Sequence, residues 1–242
     1  MARPAQPSSP PRHALLLTCE HGGNLVPEFL APHFAGRTRL LHSHRGWDPG
    51  AMELATRLAA SLNAPLIAAL VSRLVVDLNR SVDNPSLFSP ITAALDPVTR
   101  DRILRDLYTP YRVRVERSAR ASARAARPLV HLSVHTFTPV LRGQRRTVDI
   151  GILFDPERPR ERDFAESWRR ALSARLPRLT IRLNQPYRGT DDGLTTHLRA
   201  RLPDALYWGI ELEVNQRFPR RRGPAWNSVL RAVADSLAEL LA

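Results

Sequence analysis

Short apolar runs alternate with longer amphipathic stretches along most of the chain, and this alternation constrains the fold more than any other feature. Leu15–Thr18, Leu66–Val71, Leu74–Leu78, Leu129–Val134, Val148–Phe154, Leu179–Leu183 and Leu206–Val214 are short and rich in Val, Ile and Leu, which predicts strands. Between them, 48–62, 96–126, 161–176 and 225–241 place apolar residues at helical spacing. In the first of these, Met52, Ala55, Leu58, Ala59 and Leu62 form the stripe, with Asp48 as a candidate N-cap ahead of Pro49. The stretch 96–126 is expected to break or restart near Pro110. Strands alternating with helices predict an α/β fold, a three-layer α/β/α sandwich with a mostly parallel sheet. No repeat or linker composition divides 13–242, so one domain is expected there, preceded by a Pro- and Ser-rich disordered tail over 1–12.

Composition excludes several classes. With 242 residues and 43% hydrophobic content the chain can bury a full core. No apolar run approaches the ~20 residues of a membrane-spanning helix. Cys19 is the only cysteine, which rules out an internal disulfide and a Cys-rich zinc site and fits a reducing cytoplasm. The net charge is +13 and every basic residue is Arg. A total lack of Lys, alongside abundant Ala, Arg, Leu and Pro, indicates compositional bias more than a nucleic-acid surface. A nucleic-acid-binding module built on the arginines from Arg100 to Arg127 is nevertheless a rival reading, with only Tyr108 and Tyr111 to interleave.

The residues that carry chemistry collect where expected strands end, and in open α/β sheets ligands bind at the carboxyl ends of the strands. His21 follows the first run, in a Gly-Gly turn. His131, Ser133 and His135 share one face of the fourth run by period-2 alternation, with His135 nearer its end; His131 also reads as a core histidine bonded to a neighbour. Glu211, Glu213 and Asn215 share a face of the last run, and two carboxylates there are costly to bury without a metal or an arginine nearby. Two histidines and the Asp48 carboxylate, with a fourth position open, have the composition of a catalytic zinc site. The segment from Ser72 to Arg80 ends in Asp77, Asn79 and Arg80 with Arg73 at its head, and two guanidinium forks suit a carboxylate-bearing ligand.

With these blocks in place the chain resembles the N-formylglutamate amidohydrolase family. The matching blocks are CEHGGNLVP (19–27), HRGWDPGAMELA (44–55), SRLVVDLNR (72–80), HLSVHTF (131–137), DIGILFDP (149–156), NQPYRG (184–189) and IELEVNQ (210–216). The resemblance implies a fold similar to zinc-dependent exopeptidases. It also implies cleavage of the N-acyl amide of an acidic amino acid, formate and glutamate being the products of the named activity. It implies a divalent metal, zinc by preference, with His21, Asp48 and His135 as ligands. Glu213 is the expected base and Glu211 its alternative. Arg73, Asn79 and Arg80 are expected to hold the substrate carboxylate, with Asn24 or Arg45 as a polar neighbour of the oxyanion. Other N-acyl amino acids or peptides, or a non-catalytic role as an acidic-metabolite sensor, are the alternatives; nothing in the sequence fixes an oligomeric state.

Overall fold

The computed structural model describes residues 13–242, so the expected tail over 1–12 lies outside the described residues. Six strands form one sheet: β1 (Ala14–Cys19), β2 (Leu66–Ala68), β3 (Leu129–Phe137), β4 (Ile150–Leu153), β5 (Ile181–Leu183) and β6 (Tyr207–Asn215), in the order β2-β1-β3-β6-β4-β5. The first four in that order run parallel. β4 pairs antiparallel with β6 and parallel with β5, so the last two strands run the other way.

Alternation along the strands makes two cores. Leu17, Val130, Leu132, Val134, Ile210, Leu212 and Val214 pack under α1 (Ala51–Leu62), α3 (Pro159–Arg175) and α5 (Pro224–Leu241). On the opposite face Leu16, Leu129 and Tyr207 join α2 (Thr109–Arg124), α4 (Leu194–Arg199) and the apolar residues of 74–78. The result is the expected three layers with a mostly parallel sheet. Among the described residues no helix is long and apolar enough to cross a membrane.

Three local expectations are corrected. Leu74–Leu78 is a series of turns, not a strand: Val75 N–H bonds back to Ser72 O and Arg80 N–H to Asp77 O. Val75, Val76 and Leu78 are all buried, so the apolar run reflects burial on several sides and not a pleated face. Ser72 Oγ takes the Leu74 N–H, an alternative to ladder pairing that serine offers the backbone. The run Leu66–Val71 pairs as a strand only to Ala68, with Val71 bridging Leu25. Asp48 is not the cap of α1; Gly50, at φ 90°, takes that place and the carboxylate points elsewhere. The break near Pro110 is present as a wide turn over Leu104–Tyr108, which absorbs the missing proline N–H between Pro97–Ile103 and α2.

Candidate active site

The two polar rows of the sequence become neighbours in the sheet. β3 and β6 pair so that Ser133 lies beside Glu211 and His135 beside Glu213, on the face opposite Val134 and Leu212. His21 enters from the end of β1. The glycines after it are required by close packing: a Cβ on Gly23 would come within 2.5 Å of Leu70 O, and one on Gly22 within 2.9 Å of Ala69 O. Asp48 comes from the loop before α1, its N–H held by His21 O at 2.9 Å.

His21 Nδ1 lies 3.4 Å and His135 Nδ1 3.0 Å from the same Asp48 oxygen, Oδ2. All three residues are buried, and one ligand atom from each lies within 4.8 Å of the others. The outer nitrogens meet carboxylates: His21 Nε2 is 2.7 Å from Asp77 Oδ1, and His135 Nε2 is 3.2 Å from Glu20 Oε2 and 2.8 Å from Ser133 Oγ. Glu20 accepts from Ser133 and from Tyr111. This is how ligating histidines are oriented, with one nitrogen fixed by a carboxylate and the other turned to the metal. His21 Nδ1 is buried and makes no hydrogen bond among the described residues. An orphaned nitrogen aimed at a carboxylate and a second imidazole fits a cation, so the three residues could hold one metal ion.

The electrostatics are those of crowded carboxylates. Burial alone would raise Asp48, Asp77 and Glu20, but histidine and arginine neighbours hold all three below the usual carboxylate range. Burial alone would lower His135, yet hydrogen bonds to Asp48 and Glu20 raise it well above the usual imidazole value. Glu213 goes the other way. Burial first, then the charges of Asp48 and Glu211, push it up to about 8 against the opposing charges of His135 and Arg73. Its Oε2 is buried without a hydrogen-bond partner among the described residues. Glu211, two residues earlier, is tied by Thr195 Oγ1 at 2.6 Å.

His21, Asp48, His135, Glu211 and Glu213 line a cleft of about 150 Å³ together with Arg73, Asn79, Arg80, Thr136, Tyr187, Arg188, Asp191 and Asp192. Arg73 engages Asp77 at 2.7 Å and Asp48 at 3.4 Å, so its fork braces the carboxylates around the histidines. Asn79 Oδ1 accepts the first N–H of α4, from Leu194, at 2.7 Å. Arg80 donates to Asp192 O at 2.6 Å. Asn24 and Arg45 do not line the cleft: Asn24 bonds Leu41 O and His42, and Arg45 is exposed. Tyr187 and Arg188 lie in the NQPYRG block, where no sequence pattern marks either for an individual role. Glu20 likewise lies in a matching block with no role of its own, while Asp77, part of the polar cluster of 72–80, is the partner of Arg73.

His131 is a core residue, as its alternative reading held. It bonds Thr18 at 2.9 Å and Tyr207 at 2.7 Å, and burial lowers its pKa from 6.5 to about 4. Between these values the unfolded chain binds a proton that the folded chain does not, so stability falls as pH drops through this window. At about 1.4 kcal/mol per pH unit, the wild type should lose roughly 3 kcal/mol more than His131→Gln between pH 7 and pH 4. Denaturant titrations across that range check this; parallel stability curves for the two proteins would refute it.

The α/β fold gathers histidines and carboxylates at the carboxyl ends of parallel strands, and the family it falls in is one of amide hydrolases. The chain belongs to the N-formylglutamate amidohydrolase family, whose model matches residues 13–218. A solved gene product of Agrobacterium tumefaciens is 28% identical, with a TM-score of 0.75 over 95% of this chain and 92% of that one. The N-formylglutamate amidohydrolase of Ralstonia eutropha JMP134 shares the fold at 17% identity, with a TM-score of 0.71 over 95% of this chain and 93% of that one. Among curated proteins none matches the sequence significantly.

Proposed function

We propose that this chain hydrolyses the amide of N-formylglutamate to formate and glutamate, using a divalent metal held by His21, Asp48 and His135. The observation that carries the reading is Glu213: a buried carboxylate with an unpartnered oxygen, beside His135 in the sheet and facing the cleft. When bound, zinc would supply Lewis acidity, polarising a carbonyl and lowering the pKa of water. Positive charge there would also oppose the burial and carboxylate charges that raise Glu213, favouring its ionised form at neutral pH. Glu213 takes a proton from the attacking water and returns it to the leaving amine. Glu211, held by Thr195, shapes the floor beside it.

Arg80 and Arg188 are the guanidinium groups best disposed to hold substrate carboxylates. Arg80 has donors beyond its bond to Asp192, and the Arg188 guanidinium makes no hydrogen bond or ion pair among the described residues. Arg73 contributes charge while bracing Asp48 and Asp77. The small cleft volume favours an amino-acid-sized substrate, since sites for larger ligands run to roughly 300–1,000 Å³. Steady-state kinetics test the reading. N-formylglutamate should exceed N-formylglutamine and N-formylmethionine in kcat/KM by about 10- to 100-fold, the worth of one hydrogen-bonded charge. Equal rates on the three would discard the acidic-substrate reading.

A further inference from the structure

Tyr187, at the rim of the cleft, is paired with Arg146 behind it, outside the cleft lining, and no step above uses the pair. Tyr187 lines the cleft and is 38% exposed. Its phenol oxygen accepts from Arg146 Nη1 at 2.8 Å. The same guanidinium lies 4.8 Å from the centre of the Tyr187 ring and 5.5 Å from that of Phe137. Arg146 makes no ion pair among the described residues, so the aromatic rings and the phenol are its side-chain partners there. A phenol that accepts from a guanidinium keeps its own proton to donate, and withdrawal of electron density makes it a better donor.

The backbone beneath Tyr187 is fixed. Asn184 Oδ1 accepts from Phe154 N–H and Gly189 N–H, each at 3.0 Å. Arg199 Nη1 bonds Gly189 O, and Asp192 is bound by Ser81 and Asn84. Two hydroxyls line the cleft, and Thr136 gives its proton to Pro49 O at 2.9 Å. The Tyr187 O–H has no acceptor among the described residues, and burial first, then the charge of Glu213, raises the phenol against the opposing pull of Arg146. Asn24 and Arg45, the donors expected from sequence for a developing oxyanion, are directed elsewhere.

We infer that Tyr187 is a catalytic residue that donates its O–H to the oxygen of the scissile carbonyl as that oxygen gains charge, and that Arg146 is the positioning residue that aims it. This inference rests on the amide-hydrolysis reading. A donor that acts mainly on the transition state affects kcat more than KM.

The test is steady-state kinetics on N-formylglutamate with wild type, Tyr187→Phe, Arg146→Met, the double variant and Glu213→Gln. Metal content and thermal midpoint are measured for each. Tyr187→Phe should lower kcat by about 10²-fold, as loss of one oxyanion donor does, with KM changed by less than about threefold. Arg146→Met should lower kcat by roughly tenfold, and the double variant should be no slower than Tyr187→Phe, because Arg146 acts through the phenol. A full kcat in Tyr187→Phe, a loss confined to KM, or additive losses in the double variant would overturn the inference. If wild type turns over N-formylglutamate and Glu213→Gln does not, such a result removes Tyr187 alone. A wild type without this activity removes the functional reading and this inference with it.

Discussion

Glu213→Gln should reduce kcat by about 10²- to 10⁴-fold, the usual cost of losing one general base, with KM nearly unchanged. Glutamine keeps the volume and the pairing of β6 beside β3, so a loss of this size would report proton transfer and not misfolding. Glu211→Gln should cost much less, because one Glu211 oxygen accepts from Thr195 while Oε2 of Glu213 is unpartnered. The pH profile carries the same signature. A base works only when ionised, so kcat/KM must fall as pH drops through the pKa of Glu213. Burial raises that value from 4.5 to about 8, and a bound cation would pull it back. The acidic limb should therefore lie between these two values and vanish in Glu213→Gln. The assignment of Glu213 as base would be wrong if Glu211→Gln were the inactive variant.

The second large effect concerns the metal. Purified protein should carry about one divalent ion per chain, as a single three-ligand site requires. His21→Ala and His135→Ala should each abolish stoichiometric binding in a competition titration against a chromophoric chelator. Asp77→Asn should weaken binding by about 10- to 100-fold, since Asp77 orients His21 without being a ligand; the Asp77 to His21 hydrogen bond is 2.7 Å. Exhaustive chelation should remove activity, and re-addition of zinc should restore it. Unchanged ion content in His21→Ala, or full activity of metal-free protein, would dismiss the metal reading.

Much of the site is legible in the sequence because it lies on strands. Period-2 alternation alone puts His131, Ser133 and His135 on one face and Glu211, Glu213 and Asn215 on another. Register then joins the two rows, which no local pattern encodes. Strand direction is equally invisible: nothing in Ile150–Leu153 announces that it runs against β6. Loops were harder. Leu74–Leu78 has the composition of a strand but is enclosed by surrounding elements, so burial, not pairing, selects its residues. Asn24 and Arg45 stand near His21 and Asp48 in sequence, yet Asn24 bonds Leu41 O and Arg45 is exposed. Tyr187 and Arg188 sit in a stretch without periodicity, where side-chain direction follows from tethers made by distant residues such as Asn79, Ser81 and Arg199.

Those tethers have a kinetic consequence. The segment from Asn184 to Asp192 cannot swing over the cleft as a lid without releasing Asp192 from Ser81 and Asn84 and Gly189 from Arg199. Substrate therefore meets a mould already set, and discrimination must come from what fits on entry and not from a closure that assembles the machinery afterwards. Such an enzyme gives up the selectivity that induced closure provides, and in exchange its turnover is not gated by the opening of this segment.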